Sequence, residues 1–278
     1  MRQTFFPLAL ALPVALGLAA CAEVSQGTRT ISMGEEIALT SAVNAPSRSE
    51  ENRARDRYRN PIETLSFFEV RPDDVVVEIW PGGGWYTEIL APYLAGEGVL
   101  YTVASPRGLG TVTTLKQEDP ATYGQVRTAA FLPWDEGERV PDGIADVVLT
   151  FRNVHNWRMG SGRDGEDYAA AAFAEAYRML KPGGIFGVVD HRLPEDAPDE
   201  REKTSGYIKV STVMELAEQA GFEFVAASEI NANPADTADW EKGVWTLPPS
   251  LRLGEEDRER YLAIGESDRM TLKFRKPR

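Results

Sequence analysis

Short apolar runs alternate with longer amphipathic segments along most of this chain. Runs rich in Val, Ile, Leu and Phe predict strands over residues 75–79, 99–104, 126–132, 144–151, 185–189, 222–230 and 269–274. Apolar residues at helical spacing predict helices over residues 47–58, 62–70, 85–94, 111–117, 167–180 and 211–220. Strands that alternate with helices predict an α/β fold, in which a mostly parallel sheet carries helices on both faces.

The first predicted strand runs into a glycine turn and then into a helix. Glu78 lies near the end of the strand, and Trp80 precedes the three glycines of residues 82–84. Glycines let the backbone turn sharply and come close to a ligand. In open α/β sheets, a strand, a glycine turn and a helix build a ligand crevice at the carboxyl ends of the strands. A dinucleotide site would need a third glycine where this chain has Thr87, and an acid at the end of the second strand, where none is found. A phosphate-binding P-loop is excluded, because no Gly-Lys-Ser/Thr follows the turn.

The size and charge of the chain limit its partners. Its 278 residues are 42% hydrophobic and 26% charged, which is enough for one α/β domain with a sizeable core. The formal net charge is −13 at pH 7, and no basic run is interleaved with aromatic residues. A nucleic-acid partner is therefore not expected. An acidic surface chiefly indicates solubility.

The amino terminus has the layout of a secretory signal. Arg2 supplies a positive charge, residues 5–20 are apolar, and the segment ends Leu-Ala-Ala-Cys, which resembles the lipobox of bacterial lipoproteins. Cys21 is the only cysteine of the chain, so no disulfide can form within it. We expect Cys21 to be lipidated and to hold the protein at a membrane surface, facing the periplasm. Ala22 stands where an Asp would favour inner-membrane retention, so the outer membrane is predicted. An ordinary signal peptide or an uncleaved anchor is the alternative.

The remaining chain divides into a tether and a folded domain. Residues 22–46 are polar and rich in small residues, and a flexible tether is predicted there. Residues 47–278 are predicted to form the domain. Residues 231–265 make a connection much longer than the usual dozen or so residues, which predicts a lid-like insertion. Trp240 and Trp245 in this connection are candidates for an aromatic lid over a substrate pocket, and packing of the insertion on the sheet edge is the alternative.

The two histidines of the chain each follow a predicted strand. His155 follows the strand that ends at residue 151, and His191 follows the strand that ends at residue 189, directly after Asp190. If the two strands are adjacent and parallel, both histidines lie at the same rim of the sheet, where such folds keep their sites. Arg152 and Asn153 lie at the same rim and are predicted to bind an acidic or polar substrate. The alternative for Arg152 is a loop brace paired with Glu78 or Asp190.

Three segments carry a family resemblance. Residues 78–84, residues 146–151 and the Leu-Lys-Pro-Gly-Gly of residues 180–184 come in the order and spacing of class I S-adenosylmethionine (SAM)-dependent methyltransferases, which the chain resembles over residues 47–277. More closely, the sequences EIWPGGGWYTEIL, FRNVHNW and GESDRM are similar to those of a family of predicted bacterial, exported methyltransferases. The resemblance implies a Rossmann-like fold with a seven-stranded, mostly parallel sheet whose last strand is antiparallel.

The resemblance also implies a SAM site at the glycine turn. The residues it places there are Glu78, Trp80, Gly82, Gly83, Gly84, Tyr86 and Ala104. Two of them depart from the superfamily pattern, because Trp80 stands where a glycine is usual and Ala104 stands where an acid usually holds the ribose.

The implied activity is methyl transfer from SAM to an unidentified small molecule. A hydroxyl or amine acceptor must lose a proton, and histidine titrates in the right range to take it. His155 or His191 is therefore the predicted base, with Asp190 orienting it or sharing the proton. Two alternatives stay open. The first is a methyltransferase fold that binds a ligand without catalysis, and the second is a metal site of His155, Asp190 and His191.

Overall fold

Seven strands form the main path of one twisted sheet. The computed structural model describes Met1 and residues 32–278, so the predicted signal sequence and Cys21 lie outside the described residues. The strands are β1 Val75–Ile79, β2 Val99–Val103, β3 Arg127–Ala129, β4 Ala145–Phe151, β5 Leu180–Leu193, β6 Ile208–Lys209, β7 Glu223–Ser228 and β8 Arg269–Arg275. The main path runs β3-β2-β1-β4-β5-β8-β7, and the two-residue β6 pairs with the far end of β5.

Helices surround this sheet. The helices are α1 Met33–Val43, α2 Glu50–Arg53, α3 Asp56–Arg59, α4 Pro61–Phe67, α5 Thr87–Leu94, α6 Gly110–Glu118, α7 Pro120–Tyr123, α8 Val154–Arg158, α9 Ala169–Met179, α10 Val210–Ala220 and α11 Arg258–Ile264. Two 3₁₀ helices, Asp199–Lys203 and Gly243–Thr246, lie in the connections before β6 and before β8.

The strand directions agree with the fold that the sequence predicts. β3, β2, β1, β4 and β5 are parallel, whereas β8 pairs antiparallel with both β5 and β7. The predicted seven-stranded, mostly parallel sheet with an antiparallel last strand is confirmed, and the short β6 is an addition to it.

Alternate residues of the strands supply two apolar cores, one on each face of the sheet. On one face, Val77 and Val148 pack with Phe173 of α9. On the other face, Val76 and Ile89 of α5 pack in a second cluster. The period of two along each strand sends neighbouring side chains to opposite faces, so near-continuous apolar strands are needed where both faces are covered.

The register of the central strands brings their carboxyl ends to one rim. Ile79 of β1 pairs with Thr150 of β4, and Phe151 of β4 pairs with Val189 of β5. The residues that follow these strand positions therefore lie side by side. The antiparallel β8 enters at the same rim, where Arg269 lies opposite His191.

The predicted tether is wrong for residues 33–43, which form α1. This helix begins with a capping box and buries Leu39, Ala42 and Val43 against α4 and α5. These three residues are spaced i, i+3 and i+4, so they share one face of a helix. The pattern is short and lies among polar residues, which is why composition alone suggested a tether over 22–46.

The predicted helix over residues 47–58 is interrupted. Ser49 and not Ser47 is the first N-cap, and its hydroxyl accepts a hydrogen bond from the Asn52 amide at 3.3 Å. The chain then forms α2 and α3, with Ala54 and Arg55 between them. Ser49 Oγ also lies 3.1 Å from the Glu88 carboxylate, and this contact ties the segment to α5.

In the described part of the chain, no helix combines the length and apolar character that crossing a bilayer requires.

Candidate functional site

A cavity of about 250 Å³ opens at the rim where β1, β4 and β5 end. Its walls come from the glycine turn, the two histidine loops, the α2–α3 segment and the connection before β8. The lining residues used below are Glu78, Trp80, Gly82, Gly83, Tyr86, Arg55, Arg59, Arg152, Asn153, His155, His191, Trp245 and Arg269. The cavity thus joins most of the residues that the sequence singles out.

The glycine turn leaves open space beside a buried carboxylate. Gly82 has a φ of +57°, and a Cβ added at Gly82 or Gly83 would meet no atom within 4 Å. Glu78 is buried, and its Oε2 accepts a 2.6 Å hydrogen bond from Thr87 Oγ1. Burial raises the pKa of Glu78 to about 7, against the lowering effect of its Thr87 hydrogen bonds. A buried carboxyl with a perturbed pKa beside a cavity marks a candidate functional site.

Trp80 has a left-handed backbone conformation, which glycine adopts more readily than other residues. Its φ is +52°, in the left-handed region that costs a side-chain-bearing residue about 1–2 kcal/mol. The indole packs edge-on against Trp157, with ring centroids 6.1 Å apart, and against Tyr168 at 6.4 Å. Aromatic packing of this kind offsets the backbone cost. The departure at Trp80 therefore changes the wall of the crevice and leaves its turn in place.

Two residues implied for the cofactor lie outside the cavity lining. Ala104 is buried at the end of β2, where its amide donates to the Ala129 carbonyl at 3.2 Å. Gly84, with a φ of +76°, faces α6, and an added Cβ would lie 3.1 Å from the Leu115 side chain. Tyr86, by contrast, lines the cavity and stacks on Phe151, with ring centroids 3.4 Å apart.

His155 and Asp190 form a buried pair at the rim. The Nδ1 of His155 lies 2.6 Å from Asp190 Oδ1, and the backbone amide of His155 donates to Oδ2 at 3.2 Å. Asp190 is completely buried and also accepts the His191 amide at 2.7 Å. A carboxylate accepts hydrogen bonds, so we assign the shared proton to Nδ1 of His155. The opposite nitrogen, Nε2, then carries a lone pair, and it makes no hydrogen bond within residues 32–278.

His191 lies beside this pair in a different environment. The two imidazole rings have centroids 4.9 Å apart, and His191 Nδ1 lies 2.5 Å from Ser267 Oγ. Burial lowers the pKa of His191 well below its usual value, and His155 and the arginines at 269, 152 and 59 lower it further. His191 is therefore neutral at pH 7. The prediction that both histidines share one rim is confirmed in geometry.

The side chains of Asn153 and Arg152 differ in their contacts. The amide of Asn153 donates to the Ile79 carbonyl at 2.9 Å and to Thr150 Oγ1 at 3.2 Å, so it holds β1 and β4 together below the glycine turn. Arg152 has a φ of +62°, and its side chain makes no hydrogen bond or ion pair with the described residues. The predicted alternative, a brace from Arg152 to Glu78 or Asp190, is therefore wrong.

Three further arginines reach the cavity and share one carboxylate. Glu266 lies 2.6 Å from Arg55 Nε and 3.3 Å from Arg59 Nε, and it also pairs with Arg269. Burial raises the pKa of Glu266, but the charges of Arg269, Arg59 and Arg55 outweigh that effect and lower it to about 2. Arg59 also lies over the Trp85 ring, with 4.8 Å between its guanidinium carbon and the ring centroid.

Of the two tryptophans predicted to form an aromatic lid, one lines the cavity and the other does not. Trp245 lines the cavity together with Pro248 and Pro249. Trp240 lies outside this lining, where its indole nitrogen donates to Asp236 Oδ1 at 2.6 Å and its ring packs against Tyr261. The long connection is thus a wall of the cavity at one end and a packed insertion at the other.

The basic wall was not predicted, although two signals for it exist in the sequence. Arg55 and Arg59 are spaced i, i+4, which places them on one helical face, while Arg57 between them is exposed. The GESDRM segment of residues 265–270 supplies Glu266, which pairs with arginines, as well as Ser267 and Arg269. From the sequence alone, the first segment is typical of a charged helix, and the second is a family motif without an assigned role.

The three residues of the metal alternative do come together. One ligand atom from each of His155, Asp190 and His191 can be chosen so that all lie within 4.8 Å of one another, and all three residues are buried. The two oxygens of Asp190 already accept three hydrogen bonds from the two histidines. A metal ion bound there through His155 Nδ1 would have to displace the short contact to Asp190.

Similarity to known proteins agrees with this architecture. Residues 77–188 match the family model described as a methyltransferase domain. A curated protein of Synechocystis sp. described as an uncharacterized methyltransferase is 31% identical over 139 residues, which make up 50% of this chain and 56% of that protein. The match thus spans little more than half the length of the curated relative.

Solved structures extend the likeness to most of the chain. A SAM-dependent methyltransferase from Aquifex aeolicus superposes with a TM-score of 0.50 at 13% identity, over 87% of this chain and 98% of that chain. The cyclase SpnF superposes with a TM-score of 0.54 at 16% identity, over 88% and 94%. These similarities confirm the predicted fold class. The finer resemblance to an exported family stays a prediction.

Proposed function

We propose that this chain is a SAM-dependent methyltransferase that acts on a small molecule. The methyltransferase-domain match over residues 77–188 and the fold support an enzyme of this class. One observation carries the proposal for this chain: a single cavity is lined by Glu78 and the glycine turn on one side and by the histidine held by Asp190 on the other. A methyl donor and a proton acceptor would thus face the same space.

The residues at the turn fit SAM. Gly82 and Gly83 leave a cradle that any side chain would fill, and Glu78 offers a buried carboxylate to a cationic ligand. When bound, SAM supplies an electrophilic methyl group together with positive charge. Glu78, Gly82, Gly83 and Trp80 would hold the cofactor, with the indole of Trp80 forming part of the wall.

The proton chemistry falls to His155. Asp190 holds Nδ1–H, fixes the tautomer and stabilises the ring once it is protonated, so Nε2 can accept the proton of a hydroxyl or amine. His191 is neutral and lies beside His155, where it can donate or accept a hydrogen bond without adding charge. Alignment of the acceptor and exclusion of water by Trp245 would supply the remaining part of the rate enhancement.

Cofactor binding should depend on pH through Glu78. The pKa of this carboxyl is about 7 in the free protein, and a bound cation favours its ionised form. We therefore expect SAM affinity to rise between about pH 6 and pH 8 and to level off above, with a limiting slope of about tenfold per pH unit below the pKa. Calorimetric titration with SAM at several pH values measures this dependence.

Glu78→Gln keeps the shape of the side chain and is expected to flatten the pH dependence and weaken binding. Glu63→Gln, at a residue near the start of α4, is the control and should behave like the wild type. Absence of SAM and S-adenosylhomocysteine binding at millimolar ligand would contradict the proposed function itself. Binding that does not change with pH would contradict only the role of Glu78.

Two alternatives have specific support. Ala104 lies outside the cavity lining and the fold is shared with a cyclase, which favours a binding or repurposed protein. SAM binding without transfer to any acceptor would identify that case. The clustering of His155, Asp190 and His191 favours a metal site. Elemental analysis of the purified protein separates this alternative, since a stoichiometric metal lost on His191→Ala would favour it over the proton-transfer pair.

We further propose that the chain is a lipoprotein anchored through Cys21. The support is the sequence alone: the apolar segment, the Leu-Ala-Ala-Cys motif and the absence of any other cysteine. A radioactive fatty acid should label the wild-type protein and not Cys21→Ala. The control Ala22→Asp should keep the label but move from the outer to the inner membrane fraction. Equal labelling of Cys21→Ala would contradict the anchor.

A further inference from the structure

The histidine side of the cavity carries an excess of positive charge. Arg55, Arg59, Arg152 and Arg269, which we term the arginine basin, all line the cavity. Glu266 is the one carboxylate among the described residues that forms ion pairs with members of the basin. This concentration of cations occurs in a chain whose net charge is −13.

Several donors of the arginine basin have no partner in the described part of the chain. Nη2 of Arg55, Nη2 of Arg59 and Nε of Arg269 are buried without a hydrogen bond, and the residues Arg59 and Arg269 are only 3% and 2% exposed. The guanidinium of Arg152 makes no hydrogen bond or ion pair at all within residues 32–278. Buried donors are normally satisfied, so a cluster of free donors around a cavity indicates a ligand that brings acceptors.

The fold alone disfavours so many charges at this place. Burial lowers the pKa of Arg59 well below its usual value, with further lowering from Arg152. Burial also lowers the pKa of Arg152 to about 10, and Arg269 adds to the effect. Both side chains remain charged at neutral pH, and their mutual repulsion is relieved only partly by Glu266. A bound anion would relieve it further.

The basin borders the histidines at the rim of the cavity. Arg269 and Arg152 are electrostatic neighbours of His191, and Arg269 lies opposite His191 in the sheet. Arg59, Arg269 and Arg152 are also electrostatic neighbours of Tyr86, which lines the same cavity. A ligand group held by the basin would therefore lie next to the histidines and Tyr86.

We infer that the arginine basin binds a carboxylate or phosphate group of the methyl acceptor, so that the substrate of this enzyme is a small anion. This inference rests on the proposed function, because the ligand is a methyl acceptor only if the protein is a methyltransferase. Guanidinium groups bind both kinds of oxyanion through paired hydrogen bonds. Four guanidiniums exceed what the single carboxylate of SAM needs. The anion would hold the acceptor against His155, with its nucleophilic atom towards the glycine turn.

The test uses inorganic phosphate and the full chain. Calorimetric titration of phosphate into protein saturated with S-adenosylhomocysteine is expected to show binding, which Arg152→Met weakens by at least about tenfold. The guanidinium of Arg152 makes no hydrogen bond or ion pair within residues 32–278, and its backbone bond to the Val189 carbonyl does not depend on the side chain, so Arg152→Met should remain folded and melt at the same temperature as the wild type or higher. Arg57→Gln, on the exposed side of the same arginine-rich segment, should bind phosphate as the wild type does.

Each other outcome overturns a defined part of the inference. Phosphate binding that S-adenosylhomocysteine abolishes would assign the basin to the carboxylate of the cofactor. If phosphate binds to neither the wild type nor Arg152→Met, or binds equally to both, the inference of an anion site is contradicted. If S-adenosylhomocysteine itself does not bind, the proposed function is contradicted. If phosphate still binds to the protein in that case, the basin is an anion site without an assigned reaction.

Discussion

Replacing His155 by alanine is expected to lower kcat by about 10²–10⁴-fold while SAM affinity changes little. The reason lies in the pairing with Asp190 at 2.6 Å, which fixes Nδ1–H and leaves Nε2 as the proton acceptor. Loss of the imidazole removes the base and leaves the cofactor side of the cavity intact. Transfer of a labelled methyl group from saturating SAM to a panel of small hydroxylated or aminated carboxylates and phosphate esters measures the effect.

Two further variants decide whether His155 acts as the base. Asp190→Asn keeps the size of the side chain but weakens its hold on the protonated ring, so kcat should fall and the pH profile of the remaining activity should change. His191→Gln should cost less than His155→Ala, because the imidazole of His191 contacts the Ser267 hydroxyl, whereas that of His155 contacts the Asp190 carboxylate. An equal loss in His155→Ala and His191→Gln, or full activity without His155, would contradict this assignment.

Replacing Glu266 by glutamine is expected to lower the free energy of unfolding by about 3–5 kcal/mol. The substitution keeps the shape of the side chain but removes the one carboxylate that pairs with Arg55, Arg59 and Arg269. Two of these arginines are almost fully buried, so their charges would remain in the protein interior without a counter-charge. Thermal unfolding should show a decrease in Tm on the order of 10 °C for a chain of this size.

The pH dependence of stability provides an independent measure of the same contribution. The pKa of Glu266 is about 2 in the folded protein and near 4.5 when unfolded, so its charged form stabilises the fold by about 3 kcal/mol above pH 4.5. This stabilisation should disappear as the pH falls from about 4.5 to about 2, and Glu266→Gln should lack that part of the transition.

Glu229→Gln is the matched control for this prediction. Glu229 lies 2.8 Å from Arg192, but its side chain is 69% exposed. An exposed pair of this kind contributes about 0–1 kcal/mol, so the control should unfold almost as the wild type does. Equal stability of Glu266→Gln and the wild type would show that the arginines do not need this carboxylate.

The sequence predicted those features that local patterns encode. Apolar runs located the central strands, and the alternation with helices required them to be parallel, so β4 and β5 could be expected to end at one rim. His155 and His191 follow these strands, and their rings indeed lie 4.9 Å apart. The glycine turn after Glu78 was predicted because sharp turns have few sequence solutions.

The sequence did not predict features that depend on whether a polar segment faces solvent or the rest of the fold. The arginines at residues 55 and 59 look like parts of a solvated helix until the fold places Glu266, more than 200 positions later, against them. The sequence around helix α1 favours a tether because its three buried residues, Leu39, Ala42 and Val43, lie among polar and small residues. Long-range pairing of charges leaves no periodic signal in a single sequence. Trp240 and Trp245 illustrate the same limit, since they are only five positions apart, yet Trp240 packs within the insertion and Trp245 lines the cavity.

The left-handed backbone at Trp80 has a consequence for finding relatives of this protein. A motif search that demands glycine at this position would reject the chain, although the turn has the conformation for which glycine is usually required. Searches should look for the turn geometry itself. Glycine can supply this geometry, and so can a residue that is packed in the way Trp80 is. Chains with an aromatic residue at this point and matching aromatic residues at the positions of Trp157 and Tyr168 should therefore be retained as candidates in such searches.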